Sequence, residues 1–235
     1  MTDADAQTFA VFDQTMLRTG SRADFVFESL RDAIWDGRIA RGERVREEEI
    51  ARNLGVSRTP VREALQRLQQ RGLLVVGAGR GLVVAELSHD QMIELYAMRE
   101  VLEGSAARFA AQRAAEAEIA ILIRLQRELR HATNDARMLV MLNRRFHQAI
   151  YHAAHNQYLM QTLETLHDSL ALLNHTTFSM PKRKESDDEH RKIVLAIERR
   201  EPDQAEQAAR THIRNAQRSR FESAATNLTR TFAKS

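Results

Sequence analysis

The sequence contains no cysteine, which excludes disulfide bonds and metal sites built from thiolates. It also lacks an apolar run as long as a membrane-spanning helix, and its N-terminus does not carry the pattern of a secretory signal. We therefore expect a cytoplasmic protein that has no membrane partner. With 43% hydrophobic residues, the chain can bury a substantial core.

Residues that break helices are scarce in the second part of the chain. Beyond residue 88 there is one glycine, Gly104, and there are two prolines, Pro181 and Pro202. Apolar residues recur there with helical periodicity to about residue 226. The helices are expected near residues 89–115, 117–132, 136–154, 157–178, 187–200 and 202–226. This pattern predicts a mainly α protein. Its expected parts are a flexible N-terminal arm (1–20), a first domain (21–86), an all-α helical bundle (88–226) and a tail (227–235).

The first domain has the pattern of a winged helix-turn-helix. Amphipathic stretches over residues 21–36, 47–54 and 57–71 predict three helices. Two β-rich runs, LLVV and GLVVA, then flank the glycine-rich tip GAGR and predict a hairpin. Three helices followed by a β-hairpin are typical of a DNA-binding domain of this kind.

The third stretch begins SRTPVREAL, and arginine supplies all of its positive charge because residues 21–85 contain no lysine. The helix dipole disfavours Arg58 and Arg62 at this end unless an anion is bound. DNA is such an anion, and arginines at this place can bond guanine O6 and N7. Ser57 and Thr59 offer hydroxyls to phosphate or base, and Arg80 at the hairpin tip can follow the DNA backbone or the minor groove. The alternative is a helix surface with ordinary ion pairs to its own neighbours.

The run EEEIARNLGVSRTPVREALQRLQQRGLL, followed by GRGLVV, closely resembles the GntR superfamily of bacterial transcription regulators. The operator contacts implied by this resemblance come from Ser57, Arg58, Thr59 and Arg62 on the recognition helix and from Gly79 and Arg80 on the wing. Glu48 stands where the fatty-acid-responsive members carry a DNA-contacting arginine. Because a carboxylate repels phosphate, we do not expect that contact here.

One recognition helix contacts few base pairs, which is too little for specificity in a genome. We therefore expect a homodimer on a pseudo-palindromic operator of double-stranded DNA.

Four polar residues of the helical part are expected to point inward. Asn143 and His147 stand four residues apart on one helix face, and His190 and His212 fall on the apolar stripes of two later helices. Three imidazoles and a short oxygen donor inside a bundle can bind a divalent metal ion. Each histidine taken alone also fits an ordinary core residue, so the pattern leaves both interpretations open.

The helical part resembles the ligand-sensing FCD domain of the FadR-like branch of the superfamily. FCD domains place an Asp or Asn four residues before a His in an FH pair, and two more histidines on the last two helices. The resemblance implies a divalent ion of the Zn, Ni or Mn class bound by Asn143, His147, His190 and His212. Asn in place of the commoner Asp removes one negative charge, which lowers the expected affinity for a hard cation.

Arg99 lies on the apolar stripe of the first helix of this domain. A buried guanidinium needs an anion. Either Glu103, one helical turn further on, or the carboxylate of a bound effector supplies it, and the resemblance implies the effector.

These observations predict a transcription regulator whose operator binding is controlled by a small organic-acid effector held in a metal-containing helical domain. A metal-dependent hydrolase with an accessory DNA-binding head is the alternative, although no carboxylate or serine stands at general-base spacing from the histidines. An architectural DNA-binding protein would leave the inward histidines and Arg99 without a role.

Overall fold

The computed structural model describes residues 21–79, 81–133, 135–173 and 180–232, so the expected arm over residues 1–20 lies outside it. Within these ranges the chain forms nine helices and three short strands, which confirms the mainly α class. The chain forms two compact units. One comprises residues 21–88 together with 167–173, and the other comprises residues 89–166 together with 180–232. None of the described helices combines the length and the apolar character that a membrane span requires.

The first unit has the predicted winged helix-turn-helix order of elements. These elements are α1 (Arg22–Trp35), β1 (Arg44–Val45), α2 (Glu47–Leu54), α3 (Arg58–Gln70), β2 (Leu74–Val76) and β3 (Leu82–Val84). The predicted hairpin of β2 and β3 is widened by β1, which pairs antiparallel with β3 and gives the strand order β1-β3-β2.

Local signals in the sequence explain where these helices begin and end. A capping box starts α1, since Ser21 Oγ accepts from the Asp24 N–H and the Asp24 carboxylate accepts from the Ser21 N–H. The second helix ends at Gly55, whose φ of 65° is left-handed and suits glycine. Large apolar side chains from all three helices and from the start of β2 form the core of this unit. The fully buried members are Phe27, Leu30, Ile50, Leu68, Leu73 and Leu74.

The remaining elements are all helical. They are α4 (His89–Arg113), α5 (Glu116–His131), α6 (Ala136–Ala153), α7 (Gln157–Leu170), α8 (Met180–Glu198) and α9 (Pro202–Phe232). An alanine-rich face of α4 packs against larger apolar residues of the other helices, which brings the helix backbones close together. The core includes Ala106, Ala110, Leu122, Phe146, Ile150, Leu163, Ile193, Ile197 and Ala209.

Two helices extend beyond their expected bounds. The sequence predicts a helix over 187–200, but α8 already begins at Met180, and α9 continues to Phe232 through part of the expected tail. The first turns of α8 are almost entirely charged, so they carry no apolar period that would indicate a helix. Pro181 is tolerated there because the first turn of a helix has no intrahelical partner for its N–H groups. The predicted helix over 157–178 ends at Leu170, and residues 174–178 lie outside the described ranges.

Candidate functional site

The start of α3 presents a polar face at the surface of the first unit. Ser57, Arg58, Thr59 and Arg62 are exposed, whereas Pro60 is buried with the apolar stripe of the helix. Ser57 occupies the N-cap position, but its hydroxyl makes no capping hydrogen bond within the described residues. The four recognition-helix residues assigned from the sequence therefore stand together at one end of α3.

Two glutamates from the first turn of α2 reach this polar face. Glu48 Oε1 lies 3.0 Å from Arg58 Nη2, and Glu47 Oε1 lies 2.8 Å from Arg62 Nη2. Arg62 Nε also donates to Glu47 Oε2 over 3.4 Å. The arginine side chains remain 62% and 66% exposed. Each guanidinium thus has a carboxylate partner from another helix, which the sequence pattern of α3 alone does not reveal.

The wing tip is held by its own backbone, because the Gly77 N–H donates to the Gly81 carbonyl over 2.8 Å. Gly79 is exposed, and no atom of the described chain lies within 4 Å of the place where a Cβ would be. A ligand can therefore approach this backbone closely. Arg80 lies outside the described residues, so its DNA contact stays a prediction.

The three histidines singled out from the sequence meet inside the second unit. His147 on α6, His190 on α8 and His212 on α9 are 3%, 1% and 5% exposed. Each offers one ring nitrogen, and these nitrogens all lie within 4.8 Å of one another. We call this group the histidine cluster.

Contrary to the expectation that no carboxylate stands beside these histidines, two buried or half-buried carboxylates orient the rings of the histidine cluster. His147 Nδ1 lies 2.9 Å from Glu103 Oε2, and His212 Nδ1 lies 2.8 Å from Glu189 Oε2. A carboxylate accepts hydrogen bonds, so these contacts assign the proton to Nδ1 and leave a lone pair on Nε2 of both rings. Carboxylate–histidine pairs of this kind are typical around metal ions. The sequence gives no signal for Glu189, because this residue is adjacent to His190 in the chain but bonds His212 of another helix.

The donor set of the histidine cluster fits a metal ion. His190 Nε2 lies 3.3 Å from His212 Nε2, and two nitrogens bound at about 2.1 Å to one ion would be roughly 3.0–3.4 Å apart. Within the described residues, His147 Nε2 and His190 Nδ1 have no hydrogen-bond partner. Burial lowers the pKa of His147 and lowers that of His190 further, so both rings are neutral at pH 7, the form that binds metals.

Asn143 lies on α6, one helical turn before His147, and it is half-buried. This position agrees with the expected geometry of a pair of residues four apart on one helix face. Its role as a fourth ligand stays a prediction.

Arg99 is 7% exposed, and the anion beside it is Glu103, whose Oε1 accepts from Arg99 Nε over 2.7 Å. The guanidinium also lies over the ring of Tyr96, at 4.9 Å from the ring centroid. Glu103 therefore connects Arg99 with His147. An adjoining cavity of about 10 Å³ is lined by Glu103, His147, His212 and apolar residues. A cavity of this size holds about one water molecule and no organic acid.

Comparison with known proteins decides the family. Residues 22–84 match the family of bacterial regulatory proteins named gntR, and residues 94–215 match the FCD domain. The chain belongs to the GntR family and carries an FCD domain. The resemblance seen in the sequence is thereby confirmed, and this GntR/FCD protein is a transcription regulator.

Relatives of the GntR/FCD regulator control operons. The chain is 30% identical over 217 residues to the Glc operon transcriptional activator of Escherichia coli strain K12, covering 81% of this chain and 85% of the activator. It is 32% identical over 174 residues to the Nta operon transcriptional regulator of Aminobacter aminovorans, covering 73% of this chain and 81% of that regulator. These relatives favour a regulator over the hydrolase that the sequence left as an alternative.

Solved structures share the fold of the GntR/FCD regulator. McbR/YncC of E. coli superposes with a TM-score of 0.79 at 23% identity, covering 87% of this chain and 99% of McbR/YncC. A GntR regulator from Rhodococcus sp. RHA1 superposes with a TM-score of 0.72 at 26% identity, covering 86% of this chain and 99% of that protein.

Proposed function

We propose that this regulator reads its operator with Ser57, Arg58, Thr59 and Arg62 of α3, and that Gly79 and Arg80 of the wing contact the DNA beside them. The exposed cluster of hydroxyl and guanidinium groups at the start of α3 carries this proposal. Recognition helices contact bases through their N-terminal residues, and an arginine can bond guanine with two parallel hydrogen bonds.

Binding of the full-length protein to a duplex that it enriches from a random-sequence pool tests this assignment. Arg58→Ala and Arg62→Ala should each weaken binding by about 1–3 kcal/mol, because each removes one base contact. Gln70→Ala, at the exposed far end of the same helix, is the control and should bind as the wild type does. If both arginine variants bind the duplex with the same affinity as the Gln70→Ala control, then the start of α3 does not contact the operator.

We further propose that His147, His190 and His212, with Asn143, hold a divalent metal ion of the Zn, Ni or Mn class. The convergence of three buried imidazoles from three helices carries this proposal. Without an ion, the lone pair of His147 Nε2 is buried and has no donor within the described residues, which is unfavourable. When bound, the ion would supply a Lewis-acid site for an oxygen of the effector.

Elemental analysis of the purified protein, after dialysis against each metal, tests the metal site. His190→Ala should lower the metal content and remove the rise in melting temperature that metal gives the wild type, because the unfolded chain has no preformed site. His152→Ala, whose ring is exposed, is the control. A His190→Ala protein that retains stoichiometric metal would rule out this site, and His212→Ala should reproduce the loss if the first variant is poorly folded.

The effector that we propose is a small carboxylate bound at Arg99. Arg99 is a buried cation that shares its partner Glu103 with His147 of the histidine cluster. Because the adjoining cavity is only about 10 Å³, the effector must take the place of Glu103 at Arg99 or separate the helices around it. Either change gives the effector unequal affinity for two arrangements of the FCD domain, which is what control of the operator requires.

We also propose that the regulator binds DNA as a homodimer. A two-fold axis doubles the number of base pairs that are read. Three large apolar side chains on one side of α4, namely Ile93, Met98 and Val101, are 42%, 48% and 46% exposed. Such a face is suited to burial against a second copy of the same helix.

A further inference from the structure

We propose that Glu48 is a specificity-determining residue of the DNA interface, because it holds Arg58 in an ion pair that favours base contacts over phosphate contacts. This inference rests on the proposed recognition role of α3. The juxtaposition that carries it is the 3.0 Å approach of Glu48 Oε1 to Arg58 Nη2 between the first turns of two different helices.

The pair lies on the surface that faces DNA in this arrangement. The side chains of Glu48 and Arg58 are 68% and 62% exposed, so neither is needed to fill the core. An exposed pair adds little to folding stability. We therefore expect the pair to affect the binding of nucleic acid rather than the stability of the fold.

A guanidinium has five N–H donors, and one carboxylate oxygen engages one edge of it. The remaining donors of Arg58 can still reach O6 and N7 of a guanine while the pair with Glu48 stays intact. Contact with a phosphate is different, since it brings a full negative charge beside the carboxylate. Arg58 must then leave Glu48, or the two anions must lie close together, and both are unfavourable. The pair therefore weakens sequence-independent binding more than it weakens binding to the operator.

The neighbouring ion pair of Arg62 with Glu47 has a similar arrangement. Arg62 uses Nε and Nη2 toward Glu47, which leaves Nη1 and one hydrogen of Nη2 for a base. Both recognition arginines are thus held by carboxylates from α2. Glu49 belongs to the same first turn of α2 but has no ion pair or side-chain hydrogen bond within the described residues. It provides a matched control.

The experiment compares full-length wild type, Glu48→Gln and Glu49→Gln on two duplexes. One is a duplex enriched by the wild type from a random-sequence pool, and the other is the same composition in shuffled order. Dissociation constants are measured over a series of salt concentrations. Both variants lose one negative charge from the first turn of α2, so a purely general charge effect, or an effect on the helix dipole, moves both alike.

For Glu48→Gln we expect binding to the shuffled duplex to tighten by about two- to fivefold, as for the release of one exposed ion pair. The slope of log K against log salt should steepen by about 0.9, because Arg58 gains a phosphate contact. The ratio of affinities for the selected and shuffled duplexes should fall. Glu49→Gln should leave that ratio unchanged.

A double-mutant cycle tests whether Glu48 acts through Arg58. In an Arg58→Ala background, Glu48→Gln should no longer change the affinity ratio, since the arginine that Glu48 restrains is absent. Equal ratios for Glu48→Gln and Glu49→Gln, or an undiminished effect of Glu48→Gln without Arg58, would overturn the inference. A wild type that enriches no sequence, or an Arg58→Ala variant that binds the selected duplex normally, would instead overturn the proposed function on which it rests.

Discussion

At the scale of single residues, Glu103 accepts hydrogen bonds from three buried side chains, namely Arg99, His147 and Tyr151. One carboxylate oxygen accepts from Arg99 and the other from His147, and the side chain itself is only 4% exposed. Burial of a lone charge is costly, whereas a paired and hydrogen-bonded charge is tolerated. Glu103 therefore neutralises the guanidinium of Arg99 and also fixes the ring of His147 for its role in the histidine cluster.

Replacement of Glu103 should affect both stability and metal binding. Glu103→Ala leaves Arg99 charged and unpaired in the interior, so we expect the free energy of unfolding in urea to fall by about 3–5 kcal/mol. Metal affinity should fall about 10- to 100-fold, because the ring of His147 loses its orienting partner. Glu100 lies on α4 as Glu103 does, and Glu100→Ala breaks a more exposed pair with Arg214 of α9, so it should cost less than about 1 kcal/mol. Equal losses in the two variants would contradict the role of Glu103.

At the scale of elements, the bounds of most helices follow from breakers and periodicity, whereas the contacts between helices do not. Gly55 and Gly72, both with left-handed φ, end the second and third helices where the sequence predicts. The charged start of α8 carries no apolar period and was missed. The ion pair of Glu48 with Arg58 depends on how α2 packs against α3, and no pattern within either segment encodes that packing. His190 and His212 were predicted to point inward because they lie on apolar stripes of their helices, and His147 because it stands four residues after Asn143. The resemblance to FCD domains implied that these residues form one set.

The contact between α4 and α9 gives a prediction at this scale. A Cβ on Gly104 would lie 2.8 Å from Arg210 Cγ, which is too close. Alanine favours a helix over glycine by about 1 kcal/mol, but overpacking costs about 1–3 kcal/mol. Gly104→Ala should therefore lower the free energy of unfolding. In an Arg210→Ala background the same change should raise it, as thermal or urea unfolding of the four variants will show. A stabilising Gly104→Ala in the wild-type background would mean that the helices separate easily.

At the scale of the whole molecule, the proposed function calls for the assembly of two chains. The GntR/FCD regulator has one recognition helix per chain, and the proposed homodimer supplies the second. Among the described helices, α4 carries the most large apolar side chains that are exposed, namely Ile93, Met98 and Val101. An interface there would belong to the FCD domain and would leave the recognition helix of each copy for DNA.

Sedimentation of the full-length protein tests this assembly. We expect a dimer at micromolar concentration, both free and on a duplex that the protein has selected. Val101→Asp should shift the free protein toward the monomer, because it places a charge in the middle of the apolar side of α4. Ile121→Asp removes a similarly exposed apolar side chain (42%) from α5 and should leave the dimer intact. A wild type that stays monomeric on DNA would contradict the proposal.

The short segment 167–173 belongs to the first unit although it is distant from it in sequence. His167 stacks on Trp35 with 4.9 Å between ring centroids, and Arg71 Nη1 lies 2.6 Å from the buried Asp168 carboxylate. A gene fragment that stops at Ser88 would therefore encode a winged helix in which Trp35 lacks its stacking partner and Arg71 lacks its counterion. Such a fragment is a poor choice for crystallisation or for titration with DNA. Domain dissection of this protein should instead retain residues 167–173, for example by grafting them behind Ser88 through a flexible linker.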